Sequence, residues 1–195
     1  PTAQPSLLVA TEDLIPFRRG SLVALQRGAD AGYAEQWRAQ WPLKQVTSFA
    51  VADLNGDGSA ELAVLLRSIG SDDNVLQVLD ASGALRWSAT LVGATPTTVA
   101  GELGLGDFNA DGVTDLVLAD GRLLVYSGID GALIRNTEFT ATRFVPAGSV
   151  VHVLDVDGDG NSEVFFLGRV AGGPQIMFVL NHDGTPRWSR DFGAQ

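Results

Sequence analysis

Asp53-Leu54-Asn55-Gly56-Asp57-Gly58-Ser59-Ala60-Glu61 carries oxygen-bearing side chains at its first, third, fifth and ninth positions and a glycine at its sixth. The same nine-residue pattern returns as Asp107-Phe108-Asn109-Ala110-Asp111-Gly112-Val113-Thr114-Asp115 and as Asp155-Val156-Asp157-Gly158-Asp159-Gly160-Asn161-Ser162-Glu163. Side-chain oxygens at alternate positions of a tightly turning loop converge on one point. The glycine admits the left-handed backbone such a turn needs, and the ninth-position carboxylate closes an all-oxygen shell suited to calcium. Three calcium loops are expected, with side-chain ligands Asp53, Asn55, Asp57 and Glu61; Asp107, Asn109, Asp111 and Asp115; and Asp155, Asp157, Asp159 and Glu163. The third has four acids where the others have three and an asparagine, so charge count makes it the tightest.

The pattern is not an EF-hand. That motif needs a bidentate glutamate at position twelve between two helices, and position twelve here is Val64, Leu118 or Phe166. Short apolar runs flank each loop: Phe49–Ala52 and Leu62–Leu66, Leu103–Gly106 and Leu116–Leu118, Val150–Leu154 and Val164–Leu167. They are too short for helices and read as buried strands, so each loop sits in a β-hairpin. An Asp-Gly segment is by itself an ordinary hairpin turn. A turn alone does not account for the acid four residues beyond Asp57, Asp111 and Asp159, because such crowding without a cation is repulsive.

Composition fits the metal reading. The net charge is −10, and ten of the 23 acids lie in the three loops, leaving 13 to face 13 lysines and arginines. With no basic stripe, nucleic acid and anionic membrane are excluded as partners. The chain has no cysteine, which excludes a disulfide framework and zinc-thiolate sites, and no apolar run reaches the roughly 18 residues of a membrane helix. It opens Pro1-Thr2-Ala3-Gln4-Pro5, so a signal peptide is expected to have been removed or the chain to be a cut piece. Exposed calcium sites work where calcium is near millimolar, so an extracellular, cell-surface or periplasmic location is expected.

Loop starts at 53, 107 and 155 define a period of about 50 residues, the spacing of propeller blades. After each hairpin come two further strands joined by a tight turn: Val75–Asp80 and Ala84–Ser88, Arg122–Tyr126 and Ala132–Arg135, Ile176–Leu180 and Pro186–Ser189. Four antiparallel strands per period make an all-β propeller blade. A fainter copy precedes the first loop, with strands at Leu7–Ala10, Ser21–Leu25 and Ala34–Trp37. The expected organisation is one partial blade over 1–42 and complete blades over 43–96, 97–143 and 144–195. Closure removes sheet edges that otherwise invite aggregation, so further blades or a second chain are expected to complete the ring.

Val51-Ala-Asp-Leu-Asn-Gly-Asp-Gly-Ser-Ala-Glu-Leu-Ala-Val64 resembles the FG-GAP/VCBS repeats of integrin-α-like β-propellers. The resemblance implies calcium between the first two strands of each blade and seven blades in the whole propeller. It also implies ligand roles for the backbone carbonyls of Ser59, Val113 and Asn161. The Phe-Gly…Gly-Ala-Pro signature of that family is not evident, so integrin-type ligand recognition does not carry over. The outer hairpins, such as Val78–Trp87, also look like the tryptophan-bearing repeats of pyrroloquinoline-quinone-type propellers, with no cofactor-binding constellation.

Trp37, Trp87 and Trp188 recur at one place in the blade, where an aromatic can cover the junction between blades. Trp41, beside Pro42, is the aromatic expected to make an exposed contact, while His152 and His182 lack partners at metal or catalytic spacing and read as structural. No nucleophile elbow, phosphate loop or His-acid pair is present. The expected function is a non-catalytic calcium-binding propeller module that binds protein or glycan. The alternative is the scaffold of a carbohydrate-active enzyme, since some polysaccharide lyases resemble this chain in carrying calcium-loop propellers.

Overall fold

The computed structural model describes residues 6–13, 19–70, 74–91, 103–119, 122–138, 144–170 and 174–193. These form fifteen strands in four sheets, every neighbouring pair antiparallel and consecutive in sequence. The first sheet has three strands, β1 (Ser6–Asp13), β2 (Arg19–Arg27) and β3 (Tyr33–Pro42). The second holds β4 (Lys44–Ala52), β5 (Glu61–Ser68), β6 (Asn74–Leu79) and β7 (Leu85–Leu91). The third holds β8 (Gly104–Gly106), β9 (Asp115–Ala119), β10 (Arg122–Tyr126) and β11 (Leu133–Glu138). The fourth holds β12 (Phe144–Leu154), β13 (Glu163–Val170), β14 (Gln175–Leu180) and β15 (Pro186–Asp191). The expected junction at 96–97 lies outside the described residues, and that at 143–144 falls at the start of β12.

The sheets stack face to face in chain order, and alternation along the second strand of each sheet decides the stacking. Leu62, Val64 and Leu66 of β5 point to one face, where they meet Leu22 and Trp41 of the first sheet. Ala63 and Leu65 point to the other and pack with Leu116, Leu118, Leu124 and Tyr126 of the third. Val117 and Ala119 of β9 turn the opposite way, against Val151, Val164 and Phe166 of the fourth. A strand covered on both faces reads as a continuous apolar run, and β5 and β9 are buried almost throughout. The third and fourth sheets approach closely at β8, where a Cβ on Gly104 would lie 2.8 Å from Val151 Cγ1.

Two sequence expectations are corrected. The strands before the loops are not uniformly buried: Phe49 and Val51 in β4 are 37% and 50% exposed, and Leu154 in β12 is 47% exposed. On these edge strands the alternate residues Phe49, Val51 and Leu154 point to faces that no neighbouring sheet fully covers. Trp41 is not an exposed contact. It lies in the core between the first two sheets at 9% exposure, and its Nε1–H donates to Gln77 Oε1 at 2.7 Å.

Candidate metal loops and the hairpins around them

The three loops join β4 to β5, β8 to β9 and β12 to β13, and they share one internal wiring. The first aspartate caps the turn. Asp53 Oδ1 accepts the Gly56 N–H at 2.7 Å and Oδ2 the Gly58 N–H at 2.8 Å, while Asp107 Oδ2 and Asp155 Oδ2 accept the Gly112 and Gly160 N–H groups at 2.8 and 2.9 Å. The fifth-position acid holds the seventh residue: Asp57, Asp111 and Asp159 accept the N–H groups of Ser59, Val113 and Asn161 at 2.8–2.9 Å. The sixth-position glycines sit at φ of +82 to +90°, and Ala110 adopts +58° at a fourth position that is glycine in the other loops. These bonds fix the side chains at positions one and five over the turn, and in the first two loops the position-three amides of Asn55 and Asn109 donate to Asp57 and Asp111 at 2.8 and 2.9 Å. Carboxylate oxygens of Asp155, Asp157 and Asp159 lie within 4.8 Å of one another.

The ninth-position acids differ in burial from the rest. Glu61, Asp115 and Glu163 are only 1–2% exposed, whereas the other acids of the loops are partly or fully open to solvent. In each, one oxygen accepts the N–H of the loop's second residue: Leu54 to Glu61 at 2.9 Å, Phe108 to Asp115 at 3.0 Å, Val156 to Glu163 at 3.0 Å. The other oxygens do not share a partner. Arg86 Nη1 reaches Glu61 Oε1 at 3.0 Å and Arg187 Nη1 reaches Glu163 Oε1 at 3.2 Å, with further contacts to Asp57 at 3.8 Å and Asp157 at 2.8 Å. Asp115 Oδ1 is buried with no hydrogen-bond partner.

The arginines are placed by a repeated irregularity of the outer hairpin. Leu79 pairs with Leu85 but Val78 pairs with Trp87, so Arg86 is an extra residue; Leu180 with Pro186 and Val179 with Trp188 leave Arg187 in the same position. A bulge re-aims the side chain it carries, here toward the loop of its own sheet. The residue after each bulge docks on the following sheet. Trp37 Nε1–H donates to Ala81 O at 3.0 Å and Trp87 Nε1–H to Gly128 O at 2.9 Å. In the third sheet the bulged residue is Ile134, and Arg135 takes the docking place by donating to Asp183 O at 2.6 Å. Trp188, in the last described strand, is 47% exposed.

Residues 53–118, spanning the first two loops, match the sequence profile described as the FG-GAP-like repeat. An FG-GAP-like repeat thus occupies about a third of the chain. BamB from Moraxella catarrhalis is similar in fold with a TM-score of 0.53 at 17% identity, and the match covers 99% of this chain and 53% of that one. The quinohemoprotein alcohol dehydrogenase ADHIIG from Pseudomonas putida HK5 is similar with a TM-score of 0.51 at 11% identity, covering 97% of this chain and 33% of that one. The chain thus spans about half the length of the first and a third of the second, and at these identities the likeness is one of β-propeller fold. No curated protein is a significant match in sequence.

Electrostatics separate the three loops further. The Asn55 amide, then the Ser59 N–H, hold the Asp57 carboxyl below its ordinary range, and Arg187 does the same for Asp157. Asp115 goes the other way: burial, joined by repulsion from Asp111 and Asp107, pushes it up to about 6 against the opposing Phe108 N–H. A carboxyl raised in the fold binds more protons than it does in the unfolded chain between about pH 4 and 6, so metal-free stability should fall as pH rises through that window. Melting in EDTA at pH 4.5 and 6.5 should show a larger drop for the parent than for Asp115→Asn; parallel profiles would refute this.

Arg86, Arg187 and Gly128 were not singled out by the sequence reading. The available signal was the dipeptide Arg-Trp at 86–87 and 187–188, where the first residue follows the tight turn of the outer hairpin in a loop-bearing sheet.

Proposed function

We propose that this FG-GAP propeller segment is a non-catalytic calcium-binding module of a secreted, cell-surface or periplasmic protein, and that it presents its surface to a protein or glycan partner. The observation that carries the calcium reading is the unpartnered, buried Asp115 Oδ1 in a loop that also bears Asp107, Asn109 and Asp111. A buried carboxylate oxygen without a donor costs free energy unless a cation meets it, and an all-oxygen donor set selects a hard cation. Side chains of Asp107, Asn109, Asp111 and Asp115 would hold it there, and the corresponding residues in the other two loops. Carbonyl ligation by Ser59, Val113 and Asn161 rests on the family resemblance.

Support for a binding role comes from a recess of about 440 Å³ lined by Ala10, Val46, Thr47, Ser48, Phe49 and Leu103, where strands of three neighbouring sheets meet. Further blades or a second chain would complete the ring around it. Among the described residues no helix is long and apolar enough to cross a membrane.

Thermal unfolding in EDTA, millimolar calcium and millimolar magnesium tests the reading. Calcium at about a hundred times its dissociation constant adds about 2.7 kcal/mol per site, which for a chain of this size raises Tm by about 5 to 10 °C. Asp111→Ala should remove the gain at its own loop, and Asp57→Ala and Asp159→Ala at theirs. Equal melting in all three solutions would reduce the loops to acidic turns.

A further inference from the structure

We infer that Arg86 and Arg187 are built-in counter-ions that compete with calcium for the first and third loops, so that the second loop, which has none, is the site that fills first. The inference rests on the calcium reading and gives it an internal regulation. In each loop the ninth-position acid presents one oxygen that no loop backbone N–H occupies, reached in the first loop only by the Asn55 amide at 3.4 Å. A guanidinium takes that oxygen in two loops, and bridges to Asp57 in the first and to Asp157 in the third. Both arginines are delivered by the same bulge, so the arrangement belongs to the blade and is not a chance surface pair. At the matching place in the third sheet stands Ile134, partly buried against the apolar core. Among the described residues no basic side chain pairs with Asp107, Asp111 or Asp115, and Asp115 Oδ1 is left without a donor.

A divalent ion entering the first or third loop must therefore displace an arginine from a buried carboxylate, and charge-assisted bonds of this kind are the strong ones. At the second loop nothing is displaced. This reverses the order given by counting acids. The third loop has four, but one guanidinium both cancels a charge and occupies two of the oxygens a cation would use. Without calcium, the arginines keep the first and third loops closed, and the second loop alone is left with an unmatched charge.

Calorimetric titration of calcium into the full chain, with parallel melting in EDTA, tests the inference. The parent should show one tight site, abolished in Asp111→Ala and retained in Asp159→Ala. Arg86→Ala and Arg187→Ala should each tighten one weak site by about tenfold or more. In EDTA both variants should melt below the parent, because Glu61 or Glu163 has lost its partner, and the deficit should close in saturating calcium. A purely structural arginine would lower melting in both solutions and leave the calcium affinities unchanged, which would overturn the inference. Three equivalent tight sites in the parent would also overturn it while leaving the calcium reading intact. Absence of calcium binding by the parent and every variant would overturn both.

Discussion

Replacing Gly128 by alanine should destabilise the chain by about 3 kcal/mol, among the largest effects of any single methyl group in it. Gly128 lies in the turn between β10 and β11, pressed against the first two loops. An added Cβ would collide with the backbone carbonyl oxygen of Thr114 and lie 2.5 Å from that of Leu54. Neither obstacle is the end of a flexible side chain, so a loop or the turn itself has to move. Moving the turn would also disturb the Gly128 carbonyl, which accepts the Trp87 Nε1–H. Gly112→Ala is the matched control. A Cβ there meets nothing within 4 Å, and the cost is confined to its φ of +82°, about 1 kcal/mol. Urea unfolding with a common m-value reads the difference directly. Equal losses for the two variants would mean that the turn shifts freely and that Gly128 does not fasten the two loops together.

The loops were legible because their chemistry repeats at fixed spacing, and so was the four-stranded unit, because apolar runs short enough for strands alternate with turns. Burial of particular side chains was legible only where a strand is covered on both faces, as Leu62–Leu66 is. The strands before the loops were misjudged because an apolar residue such as Val51 looks the same in sequence whether or not a sheet lies over it. Trp41 was misread for a related reason. The sequence shows its neighbour Pro42, but what buries Trp41 is Gln77 and the second sheet, 36 residues on.

The arginines escaped notice through a failure of simple alternation. A regular strand assigns Arg86 to a face by counting from its neighbours, whereas the bulge opposite Val78 and Leu79 adds a residue and turns its side chain toward the loop. The recurrent tryptophan was legible, but its replacement by Arg135 in the third sheet was not, because a guanidinium and an indole are unlike as residue types and alike in offering an N–H to the carbonyl of the next turn.

That docking role makes Trp87→Ala the second large expected loss. The Trp87 ring lies against Gly131, where a Cβ would come within 2.5 Å of it, and its body packs on the core between the second and third sheets. Truncation removes the ring, opens a cavity between two sheets and leaves the Gly128 carbonyl without its donor. Together these should cost about 3 kcal/mol, the lower part of the range for a core tryptophan because Trp87 is only partly buried. Trp87→Phe, which keeps most of the ring and loses the N–H, should cost about 1 kcal/mol. Trp188 occupies the same position in the last described strand but is 47% exposed, so Trp188→Ala should cost no more than about 1 kcal/mol. The comparison isolates docking from residue type, since both side chains follow an arginine at the same bulge. A loss at Trp188 as large as that at Trp87 would show that another surface covers it in solution. A small loss at both would remove the tryptophans as fasteners and leave blade cohesion to the apolar faces of β5 and β9.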